Sequence, residues 1–145
     1  MRSRVLEAVL AVMAGAFFID AASLNVMVSQ PYLRLIPGVP AAGYFNITNH
    51  AGETATLTGA HSFDCAAIML HKSSTAGGIA RMEDVTSVSL ARGQRAAFQP
   101  GGYHLMCMNP SPRLRVGGTT TITLTFAGGA HSDITFHIVN ARGGT

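Results

Sequence analysis

Beyond residue 23 the chain alternates apolar and polar positions in short runs, and nearly every run stops at glycine or proline. Leu24, Val26 and Val28 recur at every second position, and Ile122, Leu124 and Phe126 alternate with threonines. Side chains on a strand point alternately to its two faces, so this period predicts strands with one buried side. The same reading makes strands of 44–49, 54–59, 66–71, 95–99, 103–108, 119–126 and 133–139. Turn signals separate them at Pro37-Gly38, Gly77-Gly78, Pro100-Gly101-Gly102, Pro110-Ser111-Pro112, Gly117-Gly118 and Gly128-Gly129. Short strands punctuated this often predict an all-β sandwich or barrel. No stretch past the leader holds apolar residues at helical spacing for three turns. No internal repeat or low-complexity linker divides it, so residues 24–145 read as one domain.

The first 23 residues follow a different rule. Arg2 and Arg4 precede an apolar run from Ala8 to Ile19, and Ala21-Ala22-Ser23 supplies small residues before a cut after Ser23. That layout predicts a secretory signal peptide at 1–23. Glu7 fits it poorly, and an uncleaved anchor is the alternative, although the run falls short of the ~20 residues that cross a bilayer. No Cys follows the small residues, which argues against lipid attachment there. The expected location is therefore periplasmic, with no membrane association once the leader is cut.

Composition narrows the function mainly by exclusion. The leader accounts for part of the mean hydropathy of +0.29, which is no sign of membrane residence. A net charge of +3 is weak and scattered, and no basic run alternates with aromatics, so nucleic acid is not expected as a partner. The mature part holds only five Asp and Glu, and no paired carboxylates, Ser/His/Asp arrangement, phosphate loop or C-x-x-C motif stands out. An enzyme is not expected. Two cysteines, Cys65 and Cys107, leave two readings open. An exported pair invites a disulfide, whereas apolar neighbours on both suit free, buried thiols.

Candidate chemistry lies in four soft donors: His71, Met82, His104 and Met106. Thioether sulfur binds hard cations poorly and Cu(I) well, and imidazole suits copper in either oxidation state. Parity along 103–108 puts His104, Met106 and Met108 on one face and turns Leu105 and Cys107 to the other, toward the core. His71 is expected at a strand end, with 72–74 opening a loop and Met82 beyond it, so that the ligands meet near the surface at one rim. Met69 and Met108 are expected in the core or behind the ligands. His50, His61, His131 and His137 have no partner at ligand spacing and read as surface or structural.

The spacing H-x10-M-x21-H-x-M over these residues resembles the signature of the PCu(A)C family of periplasmic Cu(I) chaperones. Pro31-Tyr32-Leu33-Arg34 resembles the family's Pro-Trp-x-Arg, and the stretches 41–49, 100–106 and 122–126 are similar to its early strand, its most specific stretch and its late strand. The resemblance implies a cupredoxin-like Greek-key β-sandwich or barrel holding one Cu(I) on His71, Met82, His104 and Met106. It also implies a monomer that hands copper to an acceptor, such as cytochrome c oxidase subunit II during CuA assembly or another copper-assembly factor. Three features depart from the family. Lys72-Ser73 replaces its Glu-Met, no His/Met-rich tail follows Val139, and Cys65 and Cys107 lie outside the motif. A copper-sequestering protein and a blue-copper electron carrier are the alternatives. The latter needs a Cys thiolate beside two His, and Cys107 faces away from His104.

Overall fold

The computed structural model describes residues 24–145, so the expected leader at 1–23 lies outside the described residues. Ten strands follow in order: β1 Val26–Arg34, β2 Ala41–Asn49, β3 Ala55–His61, β4 Ala67–Ala76 and β5 Ile79–Asp84, then β6 Val88–Leu90, β7 Arg95–Phe98, β8 Tyr103–Met108, β9 Thr119–Phe126 and β10 His131–Val139. They form one sheet in the order β5-β4-β8-β7-β2-β1-β10-β9-β3-β6, and a β3–β4 pairing rolls its two ends together. This is the all-β architecture the alternation predicts.

The core forms because alternate positions are apolar along β2, β8, β9 and much of β3 and β10. Leu33, Phe45, Ile47, Leu57, Leu105, Ile122, Leu124, Phe136 and Ile138 are each at most 1% exposed. Burying a side chain of this size contributes roughly 1.5–3 kcal/mol. Gly43 lets β2 lie close to β8, since a Cβ there would sit 3.3 Å from the Leu105 Cβ. β1 outruns its sequence signal: alternation lapses at Gln30-Pro31, where a bulge between Ser29 and Tyr32 interrupts the pairing with β2. Beyond the bulge, Tyr32, Leu33 and Arg34 also pair in parallel with β10.

Two corrections concern the segment after His71. Residues 72–74 are not a loop: β4 continues to Ala76, turns at Gly77-Gly78 and returns as β5, which carries Met82. Both turn glycines have positive φ, 59° and 77°, as a two-residue hairpin turn requires. β5 is exposed at every position, so it shows no apolar period to read. It is an edge strand held by its ladder with β4. β6 has three residues, too few to register as an alternation.

The cysteines are paired. Cys65 and Cys107 form a disulfide with a Cα–Cα distance of 5.3 Å, and the chain has no free thiol. It ties the β3–β4 connection to β8 from the core side, where Cys107 is 1% exposed. A link across 42 residues removes loop-closure entropy worth about 4 kcal/mol from the unfolded chain. Beside it, buried Asp64 takes Arg113 Nε at 2.5 Å and the Thr120 hydroxyl at 2.7 Å. The Arg113 guanidinium holds the Asp64 carboxyl below the usual carboxylate range.

Candidate metal site

Register arranges the candidate ligands in rows across β5, β4 and β8. Residues opposed on antiparallel strands share a face, as do residues two apart on one strand. In the middle row Asp84 faces His71, and His71 faces His104. On one side Met69 faces Met106, and on the other Met82 faces Ser73. All these side chains lie on the face turned from the core, because the intervening Leu70 and Leu105 are buried in it.

Both histidine rings are placed by contacts on this face. Their centroids are 5.5 Å apart, edge to face. His104 Nδ1 lies 3.4 Å from the Gly102 carbonyl, while its Nε2 is buried with no hydrogen-bond partner. His71 Nε2 sits 2.7 Å from an Asp84 carboxylate oxygen without the alignment of a hydrogen bond, and its Nδ1 is buried and unpartnered. An unpaired buried imidazole nitrogen is costly, and a metal ion relieves that cost. Burial is the main cause that pushes the His104 imidazole below its ordinary pKa, with the neighbouring His71 acting the same way. The neutral ring, with a lone pair free to bind metal, is thereby favoured.

His104 is deeper than the sequence suggests. It is 3% exposed instead of lying at the surface, because β8 is an interior strand and Tyr44 covers the ring at 6.2 Å. Tyr44 is itself held between Tyr32, at 5.2 Å, and the Arg34 guanidinium, at 5.4 Å. The Pro31-Tyr32-Leu33-Arg34 segment thus builds the wall behind His104.

The methionines divide unequally. Met106 is half-buried next to His104, and Met82 is 56% exposed on the edge strand, diagonal to His71. Met69 is not core: it is 38% exposed and directly opposite Met106. Asp84 and Tyr44 are the neighbours that sequence reading missed, and Met69, expected in the core or behind the ligands, stands on the ligand face opposite Met106. The Met69-x-His71 repeat on a strand was the one signal available for Met69; nothing local marks the other two. His50, His61, His131 and His137 are exposed, as expected. Among the described residues no three His, Cys, Asp or Glu side chains cluster closely enough to hold an ion. Register places the thioethers of Met69 and Met106 one row from both histidines, and thioether sulfur suits Cu(I) better than a hard cation. A depression of about 500 Å³ lies elsewhere, between Leu35, Ile36, Val39, Pro110 and Leu114. It is lined by no His, Met or charged side chain.

Known structures share this architecture. The copper-bound PCuAC domain from PmoF2 superposes with a TM-score of 0.67 at 21% identity, covering 81% of this chain and 96% of that one. Apo-DR1885 from Deinococcus radiodurans gives 0.63 at 25% identity, over 100% of this chain and 95% of that one. Its Cu(I) form gives 0.59 at 27% identity, over 89% and 85%. The fold is thus the cupredoxin-like β fold of PCuAC domains. Residues 26–138 match the family described as "Putative lipoprotein LpqE-like", a PCuAC-related family, and the chain belongs to it. No curated protein sequence matches.

Proposed function

We propose that this protein is an exported, periplasmic Cu(I) carrier and not an enzyme. It binds one ion through His71, Met82, His104 and Met106 and passes it, as a monomer, to an acceptor protein. The acceptor is proposed to be the CuA-bearing subunit II of cytochrome c oxidase or another copper-assembly factor. The observation that carries this reading is the facing pair His71–His104, each ring with a buried, unpartnered nitrogen on a face also bearing thioethers. Neutral imidazoles and thioethers leave the ion its single positive charge and bind without a thiolate, which suits release to a stronger ligand. The structural relatives include copper-bound and Cu(I)-bound forms, which supports the choice of metal. The disulfide agrees with an oxidising compartment and leaves no thiolate for a blue-copper centre.

The test is an anaerobic Cu(I) titration against a competing chelator, with X-ray absorption counting sulfur and nitrogen ligands. One ion should bind through mixed N and S donors, and Met106→Leu should weaken binding by orders of magnitude while the apo domain stays folded. Unchanged affinity in that variant would reject the site. Incubation of the loaded protein with an apo CuA domain separates delivery, in which copper moves across, from sequestration, in which it stays.

A further inference from the structure

We propose that Met69 is a copper ligand, which takes the place of Met82 as the ion moves between two thioethers. This rests on the Cu(I) reading above and deepens it. Met69 and Met106 face each other, and so do His71 and His104, one row along the same two strands. The four make a square of two imidazoles and two thioethers. Directly opposed Cβ atoms lie about 4.5–5.5 Å apart and diagonal neighbours about 7–8 Å. Met69 and Met106 are therefore each a neighbour of both histidines.

Met82 sits differently. Its row is that of Ser73, whose amide bonds to Gly102, four positions along β8 from Met106. That places Met82 two strands from Met106, about 9.6 Å across the sheet and about 13 Å along it. It neighbours His71 and reaches the ion only by extending over the histidine row. A methionine side chain is long and unbranched enough to do so, and equally able to swing away. At 56% exposed on the edge strand, Met82 is the donor most open to solvent. At 38% exposed and one strand in from the edge, Met69 stands where a replacement sulfur is needed. One neutral thioether lone pair replaces another, so the exchange moves no proton and no electron. Copper keeps four donors while Met82 disengages, and the edge is open to an acceptor's ligand.

The experiment uses protein labelled with ¹³C at the methionine methyls, titrated anaerobically with Cu(I), together with Met69→Leu, Met82→Leu and the double variant. Leucine keeps nearly the same volume, and amide spectra of the apo forms report folding. The Met69 methyl should shift in step with that of Met106 up to one equivalent. Met82→Leu should still show two sulfurs per copper by X-ray absorption. The double variant should show one, with affinity lower by a further tenfold or more, about 1.4 kcal/mol or above. A Met69 methyl that does not move, with one sulfur left in Met82→Leu, would overturn the inference and leave the copper reading standing. Failure of the wild-type chain to take up Cu(I) at all would overturn both.

Discussion

At the scale of single residues, the site depends on which imidazole nitrogen is left free. The Gly102 carbonyl lies next to His104 Nδ1 and the Asp84 carboxylate next to His71 Nε2, which leaves His104 Nε2 and His71 Nδ1 as the nitrogens with no oxygen neighbour. Oxygen partners of this kind orient metal-ligating histidines, and losing one typically lowers metal affinity about 10–100-fold. Asp84→Asn keeps the shape and removes the charge. It should weaken Cu(I) binding by about tenfold, measured by chelator competition, with an unchanged apo fold. An unaltered affinity would reduce Asp84 to a surface group. Asp84 itself is three-quarters exposed, so nothing in the polar stretch around it singles it out in the sequence.

At the scale of elements, the β4–β5 hairpin delivers Met82 and Asp84 to the histidines. Its turn needs a left-handed backbone at Gly77 and Gly78, which costs a residue with a side chain roughly 1–2 kcal/mol. With every β5 side chain exposed, no core packing offsets that loss. Gly78→Val should therefore loosen β5 alone. Amides 79–84 should exchange faster with deuterium while β8 and β9 keep their protection, and Cu(I) affinity should fall through Met82 and Asp84. Uniform exchange across the domain would refute this local role. Strand β8 was legible to the residue, because Leu105 and Cys107 alternate with His104 and Met106. β5 was not, because an exposed edge strand is specified by its partner's ladder and by the turn, not by hydrophobic period.

At the scale of the molecule, the disulfide and the Asp64–Arg113–Thr120 cluster brace the ends of β4, β8 and β9. The native Asp64 pKa lies below its unfolded value, so the folded state binds fewer protons as pH falls through that window. The stability Asp64 contributes is full above about pH 4 and drains away below it. Asp64→Asn should lower Tm at neutral pH and flatten the Tm profile between about pH 5 and pH 2, as read by thermal melts. A profile parallel to wild type would show that the cluster does not couple to folding.

The sequence by itself determined the strand class and the core alternation and pointed to the soft donors, because each is carried by the period of one segment or the chemistry of a side chain. It also determined that Cys107 faces the core, a consequence of parity. Tertiary structure decided what depends on register between strands distant in sequence. Cys65 meets Cys107 across 42 residues, Tyr44 covers His104, and Met69 arrives opposite Met106. Register is set when whole strands pair and bury one face together, so no single segment records who stands opposite whom.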